Sequence, residues 1–311
     1  MVAAAGGSVV LSTVPAGRAV RTVLRRRQAW RMRTMAFGLA MAAGLLPGAA
    51  AAAAVGEDVM LDAHTRARAT LEGTRLHVVV QPGSQEQWLD ADLDDGNATG
   101  SVHSDDYNFD GYPDLAVTAM LGQVNEATRV FLYDSAQRRF RLLTAPARPA
   151  VQCEGFWNLT PDLQQRSLSS SCRSGPMWYS DVYRYAPDGR LYVYTTQQRI
   201  ESPAIQEVLG PGTEDGMPFS VWPRFDAHGA VIDKAIGQSL DAPRPATFQV
   251  QVPRLPLYAT ATAAATRRYL IKGDRLQALD VSADQSRVLV RYRSASHGVI
   301  EGWIRADEAM P

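Results

Sequence analysis

Asp106-Tyr107-Asn108-Phe109-Asp110-Gly111-Tyr112-Pro113-Asp114-Leu115-Ala116-Val117-Thr118-Ala119-Met120 is the stretch on which the reading of this chain turns. Oxygen-bearing side chains stand at its first, third, fifth and ninth positions, with glycine at the sixth and the Tyr112 carbonyl available at the seventh. That spacing wraps a loop around a hard cation such as Ca2+, which takes about six to eight oxygen ligands. Alternation turns the carboxylates toward such an ion and Tyr107 and Phe109 away from it. The predicted ligands are Asp106, Asn108, Asp110, Tyr112 through its carbonyl, and Asp114. The twelfth position is Val117, so the bidentate glutamate of an EF-hand is missing, and Leu115 to Met120 reads as a strand. A metal-free, Asx-rich hairpin turn is the competing reading of the same residues. Upstream, Asp90-Ala91-Asp92-Leu93-Asp94-Asp95-Gly96 has an aspartate where the loop needs glycine and reads as a solvated turn.

On both sides of this loop the chain is written in short strands. Arg75 to Val80 stops at Gln81-Pro82-Gly83, Arg129 to Tyr133 stops at Asp134-Ser135, and Phe140 to Leu143 follows. Val182 to Tyr185 turns through Pro187-Asp188-Gly189 into Leu191 to Tyr194. β-Branched and aromatic residues at period two, bounded by Pro, Asp and Gly, are hairpin signals. Residues 201–250 are rich in Pro and Gly and read as an extension of the same β domain running into a linker. From Pro253 the pattern is regular again, with strands at Leu257-Tyr258-Ala259, Tyr269 to Asp274, Leu276 to Leu279, Arg287 to Tyr292 and Ile300 to Ile304. Five short strands in about 55 residues suit a small closed barrel. The expectation is a mainly β chain: a signal peptide and N-terminal extension over 1–54, a calcium-binding β domain over 55–237, a linker over 238–252 and a small barrel over 253–311.

Of 311 residues, 46% are apolar and 21% charged, which excludes a coiled coil, a collagen-like repeat and wholesale disorder. The 32 basic and 32 acidic side chains are unevenly placed. Arg18, Arg21, Arg25, Arg26, Arg27, Arg31 and Arg33 all precede the first acidic residue, Glu57. Beyond residue 54 the balance is therefore 25 basic against 32 acidic groups. An acidic mature chain is a poor ligand for nucleic acid and a good one for a basic protein.

The arginine cluster leads into an apolar run from Met35 to Leu46, then Pro47-Gly48 and an alanine tract ending at Ala54. Basic region, apolar region and small-residue cleavage site in that order are the pattern of a cleaved secretory signal. A membrane anchor is the competing reading, since Met35 to Val55 is just long enough to span. Ala, Gly and Pro make the run weakly apolar and breakable and favour cleavage. The expected location is the periplasm, or outside the cell, with no membrane span after cleavage. Cys153 and Cys172 both fall in the exported part, where disulfides form, and are expected to pair. A bridge across so short a loop is worth about 3 kcal/mol.

No nucleophile elbow, metalloprotease helix, phosphate-binding loop or dinucleotide fingerprint occurs, and His64, His77, His103, His228 and His297 show no ligand spacing. The chain is not expected to be an enzyme.

Two resemblances extend this reading. The loop with Val130-Phe131-Leu132-Tyr133 and Phe140, and later Cys172-Arg173-Ser174-Gly175-Pro176-Met177-Trp178-Tyr179 with Tyr183-Arg184-Tyr185, is similar over roughly residues 75–200 to a family of periplasmic immunity proteins, typified in Xanthomonas, that guard against lysozyme-like effectors of a type IV secretion system. The resemblance implies a calcium-binding β domain that plugs the cleft of a peptidoglycan hydrolase. The typical member is a lipoprotein, whereas this chain has no cysteine near its cleavage region. Ser174-Gly175 with Tyr179 is weakly similar to the Ser-Gly-x-x-Tyr loop of bacterial lysozyme inhibitors, with Trp178 where the tyrosine belongs. Ser174, Trp178 and Tyr179 are therefore the partner-binding candidates, rigid aromatics being strong interface anchors. Residues 253–311 resemble bacterial SH3-like domains through Leu257-Tyr258, Tyr269 to Asp274, Val288 to Tyr292 and Gly302-Trp303-Ile304-Arg305. That resemblance implies a cell-wall peptide as ligand and Tyr258, Tyr269, Tyr292 and Trp303 as its surface, although the same aromatics serve equally well as packing.

Overall fold

The computed structural model describes residues 55–93, 100–149, 151–210, 217–238 and 246–311, all within the unit Ala52–Pro311. The expected signal region over 1–54 lies outside the described residues, as do Asp94, Asp95 and Gly96 of the upstream acidic run. Among the described residues no helix is long and apolar enough to cross a membrane.

The chain is mainly β, as expected. Strands β1 (Val55–Met60), β2 (Arg66–Glu72), β3 (Arg75–Gln81) and β4 (Gln85–Asp90) form an antiparallel meander. A second meander contains β5 (Ser101–Asp105), β6 (Asp114–Leu121), β7 (Asn125–Asp134) and β8 (Arg139–Leu142), with the short β9 (Phe156–Trp157) paired to β7. A third sheet is built from β10 (Thr160–Asp162), β11 (Ser167–Ser174), β12 (Met177–Tyr185), β13 (Leu191–Thr196) and β14 (Gln198–Arg199), then, after helix α1 (Pro203–Leu209), β15 (Ser220–Phe225) and β16 (Val231–Gly237). The C-terminal part has β17 (Thr247–Gln249), a ribbon of β18 (Arg254–Pro256) and β19 (Tyr269–Ile271), and β20 (Arg275–Val281), β21 (Arg287–Ser294) and β22 (Gly298–Arg305), closed by the single turn α2 (Ala306–Ala309).

Alternation in the second meander explains the layering. Leu115 and Val117 of β6 and Phe131 and Tyr133 of β7 face one core, shared with Leu76, Val78 and Val80 of the first sheet. Ala116, Val130 and Leu132 face a different core, shared with Leu168, Tyr183 and Val193 of the third sheet. Successive side chains of a strand point to opposite faces, so a strand that is apolar at every position has to be covered on both. Each aliphatic side chain fully buried this way contributes about 1.5–3 kcal/mol.

The C-terminal part departs from the expected closed barrel. Its sheet, in the order β17-β20-β21-β22, stays open, and β18 and β19 pair only with each other. The apolar inner face, with Leu276, Val288, Val290 and Ile304, is covered by Ile205 and Leu209 of α1 and by Val221 and Ile236 of the β15–β16 hairpin. A face closed by neighbouring elements has no need to curl onto itself. Within the expected linker, β17 pairs with β20, while residues 239–245 lie outside the described residues. Helix α1 falls in the stretch read as β extension. Its start is capped by the Ser202 hydroxyl, which accepts from the Ile205 amide, with Pro203 in the first turn and Gly210 beyond the end.

Gly302 marks the closest approach. Tyr258 and Trp303 exchange backbone hydrogen bonds of 2.7 and 2.8 Å, and a Cβ at Gly302 would lie 2.8 Å from the Leu257 side chain and the Tyr258 carbonyl. Gly302→Ala is expected to cost about 1–3 kcal/mol by overpacking, read as a lower urea midpoint.

The predicted disulfide is present, Cys153 to Cys172, and joins the segment before β9 to β11. Beside it Asp181, buried on β12, accepts from the amides of Gln152 at 3.0 Å and Cys153 at 2.9 Å and from the Thr196 hydroxyl at 2.5 Å. Burial holds the Asp181 carboxyl above its ordinary 3.8, and the three donors oppose the shift. A raised folded value means that this group's contribution is fully present below 3.8 and is lost as the pH climbs through the folded value. Asp181→Asn keeps an acceptor for the amides and a donor for Thr196 but does not titrate. Urea unfolding across pH 4 to 8 should therefore show wild type falling relative to the variant, and a constant difference between them would remove Asp181 as the cause.

Candidate metal centre

The loop between β5 and β6 sits across the end of the second sheet because its aromatics are buried on both sides of it. Tyr107 and Phe109 drop into the core between the second and third sheets. Tyr112 packs against the other core, its ring 6.0 Å from that of Tyr133. Phe109 has φ 61° and Gly111 φ 91°. The left-handed turn costs a non-glycine residue about 1–2 kcal/mol, which the burial of the Phe109 ring offsets.

Held at these points, the loop gathers its oxygens into one arc. The Asp106 carboxylate accepts from the amides of Asp110 at 3.1 Å and Gly111 at 2.9 Å. Asn108 Oδ1 accepts from the Asp110 amide at 3.0 Å, and Asp110 Oδ1 accepts from the Tyr112 amide at 2.9 Å. The Asn108 carboxamide also donates to Asp110 Oδ2 at 2.9 Å.

Asp114 plays a different part from the other four. It is fully buried at the head of β6, and its two oxygens accept from the amides of Tyr107 at 2.9 Å and Tyr133 at 2.7 Å. Burial pushes its carboxyl up to about 7, the two amides oppose the shift, and the charges of Asp110 and Asp106 reinforce it. The Tyr185 hydroxyl is buried without a hydrogen-bond partner among the described residues. Burial pushes that phenol up as well, and the charges of Asp114, Asp106 and Asp110 add to the effect.

The donor set fits a hard divalent cation: three carboxylates, one carboxamide oxygen and one carbonyl, with neither thiolate nor imidazole among them. Each carboxylate oxygen keeps a lone pair beyond its amide partner. A cation there would offset the charges of Asp110 and Asp106, which add to the effect of burial on Asp114. As described, the loop is closed by its own amides, and among the described residues no three His, Cys, Asp or Glu side chains converge closely enough to hold an ion. Asp106, Asn108 and Asp110 are thus brought together, while Asp114 is placed beneath them as an anchor.

The partner-surface candidates are not brought together. In the β11–β12 hairpin Cys172 stands opposite Tyr179 and Arg173 opposite Trp178. Ser174 and Tyr179 therefore share one face of the hairpin, and Trp178 lies on the other. Both aromatics are half-buried, and the Asn125 side chain holds the backbone of Arg173, accepting from its amide at 2.8 Å and donating to its carbonyl at 3.0 Å.

The C-terminal aromatics are dispersed too. Tyr258 is buried and donates to Glu308 at 2.9 Å, whereas Tyr269 is 51% exposed with the Arg254 guanidinium 4.0 Å from its ring centre. Tyr292 packs on the core side of β21, and Trp303, opposite Leu289, faces the other way. Sequence reasoning passed over a group on the solvent face of the first sheet, where His77 stacks on Trp88 at 4.4 Å and Arg75 lies 4.9 Å from the same ring. The remaining histidines are exposed and scattered.

A family model for the FG-GAP repeat matches residues 98–133, which take in β5, the acidic loop, β6 and nearly all of β7. No curated protein and no solved structure matches the chain.

Asp114→Ala leaves two buried amides without an acceptor and should cost about 2–4 kcal/mol in chelator. Asp106→Ala frees amides on the exposed side of the loop, which water reaches, and should cost under about 1.5 kcal/mol. Equal losses by urea unfolding would show that Asp114 does not carry the anchoring.

Proposed function

We propose that this chain is an exported, calcium-stabilised β protein that binds and inhibits a peptidoglycan hydrolase. The observation that carries the calcium part is the all-oxygen arc of Asp106, Asn108 and Asp110 above a buried Asp114, inside the segment that matches the FG-GAP repeat. When bound, the ion supplies positive charge that lets the carboxylates ionise together. The protein's own residues do the rest: Tyr107, Phe109 and Tyr112 fix the loop to two cores, and Asp114 fixes it to β7.

The hydrolase is supported by the likeness of residues 75–200 to periplasmic immunity proteins and by the acidic balance beyond residue 54, which suits a basic partner. Trp178 and Tyr179 lie on opposite faces of one hairpin, so a cleft would take one of them with its own face. Inhibition by occlusion needs no catalytic group on this chain.

Calcium at 100 times its dissociation constant should stabilise the purified protein by about 2.7 kcal/mol, and Asp110→Ala should abolish that gain while leaving a folded protein in chelator. Identical melting in calcium and chelator would end the metal reading. Titrated into a peptidoglycan-clearing assay with a lysozyme-fold hydrolase, the protein should stop clearing at one equivalent, and Asp110→Ala should act more weakly. Unchanged clearing, together with retention on purified peptidoglycan in the absence of any hydrolase, would reassign the chain to cell-wall binding through residues 253–311.

A further inference from the structure

We propose a second site, for an oxyanion, on the solvent face of the C-terminal sheet between Arg275 and Arg293. Strands β20 and β21 pair with Leu276 opposite Tyr292 and Gln277 opposite Arg291, so one step further Arg275 stands across from Arg293. Leu276, Ala278, Val288 and Val290 belong to the core. Alternation therefore puts Arg275, Gln277, Arg291 and Arg293 on the opposite face, where Thr247 of β17, paired with Gln277, joins them. These side chains line a concavity of about 380 Å³.

The charges within it are unequal in their partners. Arg291 is neutralised, its Nε and Nη2 reaching Glu301 Oε1 at 2.8 and 2.7 Å. Arg275 and Arg293 form no ion pair with any described residue. Asp274, next in sequence to Arg275, accepts instead from the Ile271 amide at 2.9 Å. Like charges facing each other across adjacent strands are destabilising, and an anion between them reverses the sign. Two guanidinium forks match a carboxylate or phosphate bidentately, while the Thr247 hydroxyl and Gln277 carboxamide donate to further oxygens. The chemistry is that of a doubly charged oxyanion. A phosphate group and a pair of neighbouring carboxylates both present it. This site is remote in sequence from the acidic loop and independent of what that loop binds.

The test is thermal unfolding of the full chain in chelator, titrated with inorganic phosphate or with glutarate, each against chloride at equal ionic strength. A saturable rise in melting temperature is expected, lost or at least tenfold weaker in concentration dependence in Arg275→Gln and Arg293→Gln. Without anion both variants should melt at or above wild type, because the facing charges have been reduced to one. A rise with phosphate alone assigns a phosphate ligand, one with glutarate alone assigns a dicarboxylate, and either supports the site. No rise beyond chloride, a rise that both variants retain, or variants that melt below wild type without anion would overturn it.

Discussion

One buried carboxylate governs the first two-thirds of the described chain. Asp114 has no contact with water, yet its two oxygens satisfy amides on either side of it in space, Tyr107 in the loop and Tyr133 in β7. A buried amide without an acceptor costs about 1–3 kcal/mol, so the single side chain removes two such penalties. It also fixes where the loop ends and β6 begins. Since β6 and β7 carry residues of two cores, an error at Asp114 would be transmitted to both. Burial, reinforced by two neighbouring aspartates, raises that carboxyl to about 7 against the pull of the two hydrogen bonds.

Asp181 repeats the device in the third sheet. There too a buried carboxylate gathers main-chain amides from a segment with little regular structure, Gln152 and Cys153, and the disulfide holds the same segment covalently. In both places irregular backbone runs against a sheet face where water cannot serve it. An acid with two acceptor oxygens is the shortest side chain able to serve two amides at once. The two aspartates thus do in the interior what Ser202 does at the half-buried start of α1.

How much of this was legible follows from the range of each signal. Strands β3, β7, β8, β12, β13 and β19 to β22 carry local signatures, apolar alternation between turn residues, and were readable residue by residue. The run Leu115 to Ala119, apolar except at Thr118, also announced a strand, though the doubly covered layer it forms depends on partners more than 50 residues away. Helix α1 was readable from Ser202-Pro203 and Gly210, but surrounding prolines and glycines drew the segment into a β reading. The closed barrel failed for a different reason. Periodicity at Val288 and Val290 shows that one face is apolar and says nothing of what covers it, and here α1 and the β15–β16 hairpin do. The hairpin aromatics are the converse case: neighbours in sequence, Trp178 and Tyr179 are separated by the pleat of a strand, which adjacency alone already implied once β12 was recognised.

The acidic loop shows why a metal site and a metal-free turn share a sequence. Both need short oxygen side chains at alternate positions and a residue free to take positive φ, because both curl the backbone so that its amides point into the arc. Amides inside the arc attract carboxylates, and carboxylates so gathered repel one another. Surface turns tolerate that repulsion through water, which screens Asp106 and Asp110 on the outer side. Asp114 has no such recourse, since its oxygens lie in the interior and feel the charges of both neighbours. Asparagine there would offer one acceptor oxygen and leave one of the two buried amides facing a donor. Asp114 is held there by the two amides it serves, as Asp181 is in the third sheet, and this asymmetry between Asp114 and its neighbours separates an interior anchor from the solvated arc above it.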